Sequence, residues 1–94
     1  MEADYEWDEH KRLANIEKHG IDFYEIVDLF DAPVLRARAK DGVGGEERWI
    51  VTGIIRDGLH VSAIYTLRSE VVRVISIRKA RRDERRHYEE VFSG

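Results

Sequence analysis

Cysteine is absent from the 94 residues. Disulfides and thiolate metal sites are therefore excluded, and a reducing compartment fits the chain. No apolar run approaches the roughly 18 residues of a spanning helix. The first residues, MEADYEWDEHK, are acidic where a signal peptide is basic. Both features lead us to expect a cytoplasmic protein that does not enter a membrane. Repeats, linkers and low-complexity tracts are also missing, and proline occurs once. With 43% hydrophobic and 37% charged residues the composition is that of an ordinary globular chain. Its length gives one domain, residues 1–94, with a modest core.

What the chain has in quantity is charge, unevenly placed. Residues 1–50 hold 7 Lys and Arg against 13 Asp and Glu, whereas residues 51–94 hold 9 against 6. The net charge of −3 thus hides a polarised molecule with one basic surface. Six cations, Arg78, Lys79, Arg81, Arg82, Arg85 and Arg86, fall within residues 77–90. A solvated helix face accounts for part of this cluster, and a pI near 5.8 argues against adhesion to nucleic acid through the whole surface.

The apolar pattern predicts two helices, then strands, then a helix. Asp8 can cap a first helix over 9–19, with Leu13 and Ile16 as its apolar edge and Gly20 as a left-handed stop. Asp22 and Glu25 have capping-box spacing for a second helix, whose buried stripe would be Phe23, Ile26, Val27 and Phe30. Asp31-Ala32-Pro33 ends it. Period-two segments follow at 34–39, 48–55, 59–66 and 71–79, the middle pair joined at Asp57-Gly58, a dipeptide that favours a type I′ hairpin. A helix from about Arg82 to Phe92 closes the chain. The expected fold class is α+β: two N-terminal helices, an antiparallel sheet of about four strands and a C-terminal helix, with the helices covering one sheet face.

Several chemistries lack their residues. The histidines at 10, 19, 60 and 87 do not have the i, i+4 spacing of a helical zinc pair, and the glycines of residues 42–45 do not form a phosphate-cradling motif. Ser62 and Ser69 carry no nucleophile signature. We expect no cofactor and no metal site. Arg, Lys, His, Tyr and Glu remain, and they suffice for cleavage of RNA by its own 2′-hydroxyl. That reaction requires only deprotonation of the nucleophile, neutralisation of the phosphorane and protonation of the 5′-oxygen. The pattern permits this chemistry without demanding it.

The pieces YEWDEHKRLANIEKHGIDF (5–23), EERW (46–49), VSAIYT (61–66) and VISIRKARRDERRHYEE (74–90), in this order and spacing, resemble the BrnT family. These are ribonuclease toxins of bacterial type II toxin–antitoxin modules. The resemblance implies a RelE-like fold, metal-independent RNA cleavage and neutralisation by a BrnA antitoxin. BrnA resembles a ribbon-helix-helix DNA-binding protein, so operator DNA would be reached only through the antitoxin. In one departure, this chain has Arg81 where the family often has Thr or Ser, and the last helix loses a good N-cap.

On this basis the candidate catalytic residues are His19, Arg48, Tyr65 and Arg78, and the candidate RNA-binding residues are Lys11, Lys18, Arg81, Arg82, Arg85 and Arg86. Each has a plainer alternative. His19 suits proton transfer near neutrality, yet a cation at a helix C-terminus also meets the dipole. Lys11, Asn15, Lys18 and His19 form one polar stripe opposite Leu13, which a solvated face explains equally well. Arg78, placed on one strand face with Val72, Val74 and Ser76, either stabilises a transition state or pairs with Glu84. Arg48 beside Glu47 is a phosphate binder or a surface ion pair. Tyr65 is more often core than catalytic, and Tyr88 is expected to pack. Arg81/Arg85 and Arg82/Arg86 are like-charged i, i+4 pairs that cost an isolated helix roughly 0.2–0.5 kcal/mol each. RNA, an acidic antitoxin segment or the chain's own acids could neutralise them. The leading reading is a metal-independent endoribonuclease toxin. The alternatives are a non-catalytic antitoxin-binding module acting in autorepression and a protein-binding regulator with no nucleic-acid role.

Overall fold

A computed structural model describes residues 4–92. Among these, five strands and three α-helices follow the order β1 (Tyr5–Glu6), α1 (Glu9–His19), α2 (Ile26–Asp31), β2 (Leu35–Arg38), β3 (Trp49–Ile54), β4 (His60–Arg68), β5 (Val71–Lys79), α3 (Arg82–Phe92). The sheet order is β1-β5-β4-β3-β2. The architecture is α+β as expected, but the sheet has five strands and is mixed, because β1 pairs parallel to β5. A two-residue strand carries no readable period, which is why the sequence did not announce it. No helix among the described residues is long and apolar enough to cross a membrane.

The helix ends follow local chemistry. The Asp8 carboxylate accepts from the Lys11 amide at 3.1 Å, and Gly20 ends α1 at φ 71°. Asp22 and Glu25 form the capping box, but the turn they open, Phe23–Glu25, is 3₁₀ before α2 begins. Three residues per turn bring Phe23, Ile26 and Leu29 into one column. Leu29 is therefore buried, and Val27, expected in the stripe, is 44% exposed. Asp57 and Gly58 both take positive φ, 56° and 70°, as a type I′ turn requires.

The core lies on one sheet face, where Val51, Val61, Ala63, Tyr65, Val74 and Ile77 meet Ile21, Phe23, Ile26 and Leu29. The helices do not all cover that face. Helix α3 packs on the other side, over the outward partners Thr52 and Ser62, and its buried Tyr88 donates to the Pro33 carbonyl at 2.9 Å. A second correction concerns α1. Asn15 is buried and Leu13 is 53% exposed, so the inward face is that of Asn15. Its amide donates to the carbonyls of Ile21 and Ile77 at 2.9 and 2.8 Å, and its oxygen accepts from the Ile77 amide at 3.2 Å. One side chain thereby acts as a missing strand partner at the edge of β5.

Candidate active site

A bulge decides which way Arg78 points. Ile64 pairs with Ser76 but Tyr65 pairs with Val74, which leaves Ile75 as an extra residue in β5. The extra residue reverses the alternation. Val72, Val74 and Ile77 face the core, and Arg78 stands opposite buried Ser62 on the α3 face. Arg78 thus does not share a face with Val72 and Val74, as strict period two had implied.

There it meets Glu84. The two Nη groups of Arg78 donate to the two carboxylate oxygens of Glu84 at 2.7 and 2.9 Å. Glu84 also accepts from the Ser62 hydroxyl at 3.1 Å and from the Arg81 amide at 2.7 Å, and Ser62 lies 2.8 Å from the Thr52 hydroxyl. The forked contact with Arg78, then the bonds from Arg81 and Ser62, hold the Glu84 carboxyl down at a pKa of about 2. The same pair pushes Arg78 above its ordinary value. The bond from the Arg81 amide is the carboxylate half of a capping box, so α3 has a cap although Arg81 itself offers none.

The other candidates disperse. His19 lines a hollow of about 490 Å³ together with Arg56, Asp57, Leu59 and Lys79. Arg56 closes one wall, donating to Glu25 at 2.6 Å and to the Gly20 carbonyl at 3.3 Å. Tyr65 is 3% exposed on the core face, edge-on to Phe30 at 5.7 Å, and burial foremost raises its phenol. Arg48 lies 3.5 Å from Glu46 and packs on Gly42, where a Cβ would collide with its guanidinium. It precedes β3, at the end of the strand away from the 56–58 hairpin and about 20 Å from it by strand rise. Arg85 pairs with Glu89 at 3.2 Å, whereas Lys11, Lys18, Arg81, Arg82 and Arg86 show no ion pair among the described residues.

One end of the molecule gathers several of the basic candidates. The C-terminus of α1, the β3–β4 hairpin, the end of β5 and the start of α3 converge there, the hairpin tied to the β5–α3 junction by the Ala80 amide donating to the His60 carbonyl at 3.0 Å. His19, Arg56 and Lys79 line the hollow at this rim, Lys18 and Arg78 adjoin them in the chain, and Arg81 and Arg82 follow at the start of α3. Arg81 and Arg82 sit at the positive end of the α3 dipole, which the first-turn carboxylates of Asp83 and Glu84 partly offset. Sequence reasoning left Arg56 and Lys79 out of the site, and named Glu84 only as a possible ion-pair partner. The spacing of Arg81 and Glu84 was the available signal for the cap, but the Ser62–Arg78 register had none. Behind α3, both ring nitrogens of His60 are buried without a hydrogen-bond partner, and Glu89 stands 3.6 Å away.

The fold and this rim define a small α+β protein with basic side chains gathered at one end. The family described as ribonuclease toxin, BrnT, of type II toxin–antitoxin system matches residues 7–84. The chain belongs to this BrnT family. The 1.1 Å crystal structure of the Brucella abortus ribonuclease toxin BrnT is similar at a TM-score of 0.61 and 28% identity, over 86% of this chain and 100% of that one. Comparison with curated proteins gives no match.

Proposed function

We propose that this chain is an active endoribonuclease that cuts RNA through attack of the 2′-hydroxyl, needs no metal, and is held inactive by a BrnA-like ribbon-helix-helix antitoxin in the cytoplasm. The observation that supports the reading is the rim, where a histidine and a lysine without an ion pair among the described residues share one hollow, with two arginines following in the chain at a helix N-terminus. His19 serves as the proton-transfer group, because an imidazole can both give and take a proton. Lys79 meets the phosphorane oxygens, with Arg56, held by Glu25 and the Gly20 carbonyl, shaping the wall beside it, while Arg81, Arg82 and Lys18 attract the flanking phosphates. Arg78 has both Nη groups engaged and acts on position, holding the start of α3 through Glu84. Tyr65 and Arg48 then serve the core and the 39–48 loop. The RelE-like description of the family fits the antiparallel β2–β5 sheet. Operator DNA is reached through the antitoxin alone.

The occupied Arg78 favours a second reading, a non-catalytic module that keeps only the antitoxin interface. Single-turnover cleavage of a labelled RNA separates the two. His19→Gln and Lys79→Ala are expected to cut about 10²–10⁴-fold more slowly than the parent, with unchanged circular dichroism. Parent-level rates in both variants would remove the rim from catalysis, and an inert parent would support the binding module.

A further inference from the structure

We propose that the outer edge of β2 is a docking site for an extended segment of a partner protein in which acidic and apolar residues alternate. The two sheet edges are treated differently. On the β1 side, Tyr5–Glu6 pairs with β5, and Asn15 satisfies Ile77 beyond it. On the β2 side no described residue gives a backbone partner to the outer edge, and Arg36, Ala37 and Arg38 are exposed.

The register shows which groups are free. The Ala39 amide donates to the Arg48 carbonyl at 2.9 Å, so the alternating ladder bonds Ala37 and Leu35 inward to Ile50 and Thr52. The N–H and C=O groups of Arg36 and Arg38 therefore point away from the sheet. These are the groups through which an added strand pairs. The bulges and prolines that blunt natural edges are missing from Leu35–Arg38.

The two faces specify the occupant. Arg36 and Arg38 lie on one face, stacked over the Trp49 ring at 4.0 and 5.5 Å. Arg38 has Asp41 at 2.7 Å, whereas Arg36 has no carboxylate partner among the described residues. Acidic side chains of an added strand on this face would meet Arg36. On the opposite face a groove of about 510 Å³ has Leu35, Ala37 and Ile50 on its sheet wall and Asp83, Glu84 and His87 of α3 across from them, so apolar side chains suit the wall beside β2. A second copy of the chain is disfavoured, because pairing β2 with itself would set arginines against arginines. For a toxin of a type II module, the antitoxin is the protein that would carry such a segment.

The probe is an acetylated, amidated eight-residue peptide alternating valine and glutamate, with its valine–lysine counterpart as control. Both are titrated into the ¹⁵N-labelled full chain. The glutamate peptide is expected to move the Arg36 and Arg38 amides and slow their exchange, and to bind at least tenfold more tightly than the lysine peptide. Arg38→Pro removes an outward N–H and no inward bond, so it should weaken binding about tenfold beyond Arg38→Ala. Arg36→Glu leaves the backbone intact and should reverse the peptide preference, which keeps the test decisive where the proline variant misfolds. Equal binding of both peptides, shifts confined to another surface, the same shifts with an RNA oligonucleotide, or a β2-mediated dimer in sedimentation would each overturn the proposal. None of these outcomes bears on cleavage.

Discussion

At the scale of single residues, Glu84 carries the most interactions and gives the clearest pH signature. Its folded pKa of about 2 lies below the ordinary value of 4.5. A depressed carboxylate adds stability that is fully present above the unfolded pKa and is lost as pH falls toward the folded one. The full shift corresponds to about 3 kcal/mol, and solvent screening at a partly open position lowers this to about 1–2 kcal/mol. Urea unfolding should therefore show a parent midpoint that drops between pH 4.5 and 2. Glu84→Gln should be less stable at neutral pH and lack most of that drop. An unchanged acid profile in Glu84→Gln would dismiss the pair as the cause. Arg78→Lys separates two roles. A contact made only in the transition state would lower kcat, whereas holding α3 predicts a raised KM with kcat largely kept. For Arg78, the pairing with Glu84 was nameable from the sequence. Its face was not, because one extra residue at Ile75 reverses a strand and leaves no mark in composition.

At the scale of elements, the ends were more legible than the faces. Asp8, Gly20, the Asp22–Glu25 box and Asp57-Gly58 act through their immediate neighbours, so spacing alone placed them. The rotation of α1 depends on a contact 62 residues away, that of Asn15 with Ile77. A polar residue in a helix reads as solvated until the sheet edge it satisfies is known. Asn15→Ala should therefore cost about 3 kcal/mol, since three bonds to buried backbone are lost at about 1 kcal/mol each. Denaturant midpoints check this, and a loss near zero would mean that water replaces the side chain. Helix α3 makes a different prediction. Arg82 and Arg86 show no ion pair among the described residues, so their charges are available to RNA. Alanine at each should flatten the salt dependence of RNA affinity by about 0.7 per lost phosphate contact. Salt slopes equal to the parent's would leave these arginines as solvated surface.

At the scale of the whole molecule, the fold separates charges that the net value conceals. Acidic residues cap the starts of the first helices, and basic side chains of α1, the β3–β4 turn and β5 gather at one rim. The basic half was visible in the sequence. The hollow was not, because it joins His19, Arg56 and Lys79 from three distant stretches of the chain. The same convergence separates the four residues first singled out for catalysis. His19 and Arg78 belong to the rim, Tyr65 is on the core face, and Arg48 stands at the far end of β3. The central claim is that this rim cuts RNA with side chains alone. It is tested most directly by incubating the purified chain with end-labelled RNA in EDTA and identifying the new ends. The account predicts 2′,3′-cyclic phosphate and 5′-hydroxyl ends, formed at the same rate with or without the chelator. Cleavage that stops in EDTA and returns with a divalent cation, or products ending in 5′-phosphate, would contradict it.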